Sequence, residues 1–145
     1  MAVASRDECL KMRRRVLEEH PRGRVVIVDT IAHIAREDAG HVVVAGSHGG
    51  VSSGEYAERV RVAAVFFNDA GGGKDEAGRA AMPYLQERGI AAGTVSHHTA
   101  MIGDALETFE TGVISAVNAQ AQAAGFAVGR PLRECIRDML GGGGA

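Results

Sequence analysis

Three short apolar runs constrain this chain more than anything else in it: Val25-Val26-Ile27-Val28, Val42-Val43-Val44-Ala45, and the run 62–67 that ends in Phe66-Phe67. Each is continuously apolar, not alternating, and each is rich in β-branched or aromatic residues. A strand with one wet face alternates; a continuous run is buried on both faces, as in parallel sheets covered by helices. A fourth run, 90–95, is diluted by Ala and Gly and suits a less central strand.

Helix-capable segments separate these runs at 31–38, 53–58 and 74–88, with Pro83 weakening or splitting the last. Alternation of this kind predicts crossover units of right hand. Before the first run, Cys9, Met12, Val16 and Leu17 recur at helical spacing, which predicts an amphipathic helix over 5–19 stopped by His20-Pro21-Arg22-Gly23. After the fourth run, Leu106, Phe109, Val113 and Val117 form one stripe of a long helix over 104–124, ended by Gly125. A closing helix starts at Pro131 and runs to about Leu140, and 141–145 is a Gly-rich flexible tail. The expected architecture is a single three-layer α/β domain over 1–140. Its mostly parallel sheet has about four to five strands and is flavodoxin-like or Rossmann-like.

Composition narrows the partners. A chain of 145 residues has room for one domain and not two. A net charge of −2 provides no field to hold a polyanion, and Arg13-Arg14-Arg15 lies among Asp7, Glu8, Glu18 and Glu19 as on a solvated helix face. With no Trp and few aromatic residues there is no base-stacking surface, so nucleic acid is not an expected partner. No apolar run approaches the roughly 20 residues that span a bilayer, and no membrane association is expected. Arg6, Asp7 and Glu8 precede any apolar leader. Cys9 and Cys135 lack the paired spacing of a zinc or redox motif and read as reduced thiols, which makes a cytoplasmic location the expectation.

The C-terminal ends of parallel strands share one edge, where open α/β sheets hold ligands. Here that edge receives Asp29-Thr30, Gly46-Ser47-His48-Gly49-Gly50, Asn68-Asp69-Ala70-Gly71-Gly72-Gly73-Lys74 and Ser96-His97-His98-Thr99. The opposite edge is entered through Arg24, His41, Arg61 and Gly89, a sparser set. Gly-rich turns let a backbone approach a ligand, and the next helix offers free N–H groups to an anion; short turns also need Gly for their dihedral angles alone. Structural roles account for some neighbours. Ser52-Ser53-Gly54-Glu55 and Asp104-Ala105-Leu106-Glu107 have the spacing of helix capping boxes. Asp75 and Glu76 suit a first helical turn, with Lys74 offsetting them, and His33 reads as a partly buried structural histidine.

The remaining set is read as a site. His48 is the expected general acid or base, oriented by Asp69 or Asp29. Gly46, Ser47, Gly49, Gly50, Asn68, Gly71, Gly72, Gly73, Lys74, Ser96, His97 and His98 are the expected ligand contacts. A strand continuing through His97 and His98 would turn only one of them toward the site. His48, Asp69 and one of these histidines supply donors a divalent ion accepts, but their spacing matches no specific metal motif, so no metal is assigned and the cofactor is left open. The expected function is a small hydrolase, lyase or isomerase acting on a small polar or anionic molecule. The alternatives are a nucleotide- or anion-binding sensor, or an assembly subunit or homo-oligomer packed through Ala116, Ala119, Ala121, Ala123 and Ala124.

Two short likenesses bear on this edge. Val43-Val44-Ala45-Gly46-Ser47-His48-Gly49 resembles the strand and Gly-Ser-His-Gly turn of universal stress proteins, which implies adenine-nucleotide binding in a doubly wound α/β fold. Where that family places its second Gly-Ser or Gly-Thr pair, this chain has Arg59-Val60. His48-Gly49 and Asp69-Ala70 are similar to the paired turns of caspase-like peptidases, with Gly71 in the place of the nucleophilic cysteine. No dinucleotide fingerprint or P-loop is present, because Glu76 fills the third fingerprint position and Asp75 follows Lys74.

Overall fold

The computed structural model describes residues 14–69 and 80–141. They form one α/β domain around a sheet of six strands in the spatial order β1 to β6, the order of the chain itself. The strands are β1 (Arg14–His20), β2 (Gly23–Val28), β3 (Val42–His48), β4 (Ala64–Asn68), β5 (Ala91–Val95) and β6 (Ile114–Val117). Strands β2 to β5 are parallel, and β1 and β6 run antiparallel along the two sides. The helices are α1 (Val51–Val60), α2 (Ala81–Glu87), α3 (Ala105–Thr111), α4 (Ala119–Ala123) and α5 (Leu132–Leu140).

The continuous apolar runs are the parallel strands, and alternate residues feed two cores. Val26, Val28, Val43, Ala45, Val65 and Phe67 face Ile31, Ala57 of α1, and Ala81 and Leu85 of α2. Val25, Ile27, Val42, Val44, Ala64 and Phe66 face Phe109 of α3, Ala121 of α4, and Leu132, Ile136 and Leu140 of α5. Phe66 and Phe126 stack at 4.6 Å between ring centroids. A fully buried side chain of this size contributes about 1.5–3 kcal/mol. Because the strand order never reverses, the crossovers from β2 to β5 all lie on one face, and α3 to α5 cover the other. A doubly wound sheet reverses its order and opens a crevice at that point. Strands β2 to β5 step in one direction throughout.

The strand count is six where four to five were expected, and both additions come from segments read as helix. Residues 14–19 belong to β1, which turns through Pro21-Arg22 into β2; the rest of the expected first helix, Cys9 and Arg13 included, lies outside the described residues. Here cross-strand pairing overrides the helical spacing of Val16 and Leu17, and Leu17 packs on the core shared with α5. The long helix expected over 104–124 breaks at Gly112, where a Cβ would lie 2.1 Å from the Thr108 carbonyl oxygen. The β-branched residues after Gly112 then pair with β5 as β6. Asn118, buried, starts α4: its Oδ1 accepts from Ala121 N and Ala92 N, each at 3.0 Å, and its Nδ2 donates to Ile90 O at 2.9 Å. Of the five alanines read as a packing surface, Ala121 is buried in this chain's own core.

Residues 31–38 form two short 3₁₀ turns, Ile31–His33 and Arg36–Asp38, not one helix. The fully buried Asp38 carboxylate explains the break: it accepts Ala35 N at 2.8 Å and the Arg14 guanidinium from β1. Arg14 is held above its ordinary pKa by this hydrogen-bonded pair. The helix read over 53–58 runs over Val51–Val60 and begins at Gly50 without a side-chain cap, so Ser52 is not the cap its spacing suggested. Pro83 stands in the first turn of α2, where a missing N–H costs nothing. α5 begins at Leu132 with Pro131 as its cap, one residue later than read. Residues 142–145 of the expected tail lie outside the described residues. No described helix is long and apolar enough to cross a membrane.

Candidate functional site

The C-terminal ends of β2 to β5 do share one edge, and the loop from β5 to α3 crosses it. That loop is bonded along its length. Asn68, fully buried, donates Nδ2 to Ala100 O at 2.8 Å, Thr111 Oγ1 donates to Thr99 O at 2.7 Å, and Gly103 N donates to Gly46 O at 2.7 Å. At Gly46 a Cβ would meet only backbone, 2.6 Å from Gly103 C, 2.8 Å from Asp104 N and 2.9 Å from Asp29 O. Glycine is required there by the close approach of chain to chain.

The edge brings Asp69 and His97 together. Asp69 follows β4 directly and is 4% exposed. Its Oδ1 accepts the backbone N–H of His97 at 3.1 Å and lies 2.9 Å from His97 Nδ1. Two contacts to one residue fix both the loop and the imidazole plane. With Nδ1–H directed at the carboxylate, Nε2 is left for chemistry, and the ring is 40% exposed. His98 stands beside it, ring centroids 3.9 Å apart. Because β5 ends at Val95 and residues 97–99 turn, both rings lie on one side instead of alternating as an extended strand would require. Ser96 makes that turn: its Oγ accepts His98 N at 3.2 Å and its carbonyl accepts Thr99 N at 2.9 Å.

The other expected residues divide by what holds them. His48 is the last residue of β3, exposed, and in register with Asn68, the neighbour of Asp69. Its carbonyl accepts Ser53 Oγ at 2.9 Å, while its ring has no hydrogen-bond partner among the described residues. Asp69 is therefore seated on His97 and not on His48. Ser47 Oγ accepts Ile31 N at 3.2 Å, a contact that ties β3 to the first 3₁₀ turn. Gly49 is buried and its carbonyl accepts Ala81 N at 2.8 Å, and Gly50 caps α1. Asp29 is exposed at the end of β2, away from the Asp69–His97 pair, and lines a cavity with Asp104 and Leu106. Gly71, Gly72, Gly73 and Lys74 lie outside the described residues. Among the described residues, no group of three or more His, Cys, Asp or Glu side chains has metal-binding geometry.

The Asp69–His97 pairing was open to inference from one further step. Consecutive strands pair more often than not, so the residue after β4 and the loop after β5 belong side by side. The exposed Met101 and Ile102, 67% and 50% accessible in the same loop, carried no signal that distinguishes them from buried apolar residues. Compared with known proteins, the chain matches no family model and has no significant counterpart among curated proteins or solved structures.

Proposed function

We propose that this chain is a small acid–base enzyme, a hydrolase, lyase or isomerase, that acts on a small polar or anionic substrate at the ends of β3 to β5. His97 Nε2 is the group that exchanges a proton with substrate, and Asp69 orients the ring and stabilises its charged form. The carrying observation is the buried Asp69 carboxylate bonded to both the backbone and Nδ1 of His97. A carboxylate so placed sets tautomer and orientation, the preparation that proton transfer needs. His48 and His98 supply exposed imidazoles beside it. The first turn of α1 has neither a side-chain cap nor an acidic residue, which favours an anionic group on the substrate.

The same α1 terminus favours a second reading, a sensor that holds an anion without converting it. The reading of the site rests on these residues rather than on flavodoxin-like or Rossmann-like ancestry, since the unreversed strand order provides no switch-point crevice. A cytoplasmic setting, with Cys135 reduced, fits the reading. The test is a turnover screen with ester, phosphoester, hydroxy-acid and keto-acid substrates on the wild type and on His97→Gln, Asp69→Asn and His48→Gln. Loss of turnover in the first two with retention in the third supports the proposal. Full turnover in His97→Gln defeats it, and ligand-induced stabilisation with no product from any substrate selects the sensor.

A further inference from the structure

A concavity lies between β1, β2 and α3, with a volume of about 530 Å³. Its floor is apolar, formed by Ile27 and Leu106, and charged groups of both signs, Arg15, Asp29 and Asp104, stand around it. Register explains the arrangement. Arg15 is the cross-strand partner of Ile27, and Asp29 follows Ile27 by two residues, so Arg15 and Asp29 flank Ile27 on the α3 side. Asp29 and Asp104 converge as well, because the Asp29 carbonyl and the Asp104 N–H both lie within 2.9 Å of the Cβ position at Gly46.

The charges differ in how they are committed. Arg14, also on the wall, is bound to the buried Asp38. Asp104 uses Oδ1 to accept Glu107 N at 2.9 Å. Arg15 and Asp29 form no ion pair or side-chain hydrogen bond among the described residues, with each other or with any other group. An unengaged guanidinium and an unengaged carboxylate at the rim of an apolar floor match a ligand with the inverse pattern. A volume of this size is that of an ordinary small-molecule site.

We infer that this cleft binds a zwitterion with an apolar substituent, the chemistry of a free α-amino acid. Its ammonium group lies between Asp29 and Asp104, its carboxylate meets Arg15, and its side chain covers Ile27 and Leu106. A simple amine would leave Arg15 without a counter-charge, and a fatty acid would set its carboxylate among two others. The inference uses no residue of the Asp69–His97 pair and stands apart from the enzymatic reading.

The test is isothermal titration of the full chain with L-leucine and L-phenylalanine. The comparison ligands are 4-methylpentanoate and 3-phenylpropanoate, which lack the ammonium, and 3-methylbutylamine and 2-phenylethylamine, which lack the carboxylate. At least one amino acid is expected to bind saturably, and at least about tenfold more tightly than either of its truncated analogues. Arg15→Gln and Asp29→Asn are each expected to weaken that binding by about tenfold. The inference is overturned by absence of saturable binding of both amino acids up to about 10 mM, by an amine or an acid alone that binds as well as the amino acid, or by either variant retaining wild-type affinity.

Discussion

The ends of β4 and β5 and the ends of β2 and β3 carry the same kinds of residue, a carboxylate and histidine, and hold them in opposite ways. Asp69 is buried and spends an oxygen on both the backbone and the ring of His97. Asp29 and His48 are exposed, and no hydrogen bond joins them to each other or restrains either side chain among the described residues. The loop that leaves β5 contributes to the difference: it folds back over β4 and β3 and lays a backbone N–H against Asp69. Position after a strand is therefore not what fixes a histidine. What fixes His97 is the buried carboxylate that a second segment brings beside it.

This contrast can be broken most directly in catalysis. His97→Gln is expected to lower kcat by about 10²–10⁴-fold, the usual contribution of a positioned acid or base, whereas His48→Gln leaves kcat within about threefold on the same principle. Equal losses in steady-state assays of the two variants would erase the distinction between the pairs. Asp69→Asn is expected to cost about 10–100-fold, as for other residues that orient an imidazole. Its KM should stay near the wild-type value, since in the proposed site Asp69 acts through His97 and not on the substrate.

Stability sharpens the same comparison. Gly46→Ala places a methyl group against the backbone of the covering loop and is expected to destabilise by about 1–3 kcal/mol, measured by urea unfolding. A third carboxylate–histidine set, Glu18 and His20 on β1, lies 2.8 Å apart and is tied to α5 by Arg137. The hydrogen bond from Arg137, more than the weaker contribution of His20, holds Glu18 below the usual carboxylate range. A lowered folded-state pKa gives stability that is present above the unfolded value and is lost as pH falls through the folded one. The melting temperature of Arg137→Gln should therefore fall short of wild type at pH 7, and the gap should close as Glu18 is protonated in acid. A gap that widens in acid would assign the tether to another group. Asp29→Asn should change stability least, by no more than about 0.5 kcal/mol, because its side chain restrains nothing.

The parallel core was legible because Val25 to Val28 and Val42 to Ala45 admit only one kind of environment, burial on both faces. The edge on which polar residues gather followed from it. The side strands were not legible. Val16 and Leu17 satisfy a helical spacing and a strand pairing equally well, and only the partner strand decides between them. In 104–124 the apolar stripe continues through Gly112, and the helix ends because the chain must turn beneath the Thr108 carbonyl, a steric fact of the folded state. The site was legible as a collection and not as a pairing. Asp69 was read as an orienter, and the adjacency of β4 and β5 brings the loop after β5 beside it, but which histidine it meets depends on the turn at 97–99.

The unreversed strand order also has a kinetic consequence. Each parallel strand lies beside its nearest neighbours in the chain, so β2 to β5 can assemble by successive short-range additions. The contacts that complete the structure are the most distant ones: α5 reaches back to the β1–β2 turn through Arg22 N to Leu140 O at 3.0 Å, and to Glu18 across 119 residues. On a ribosome the early strands would leave the tunnel with one face still bare of α5. The nascent chain must then carry an uncovered apolar sheet surface until α5 emerges, and the docking of α5 is what ends that exposure.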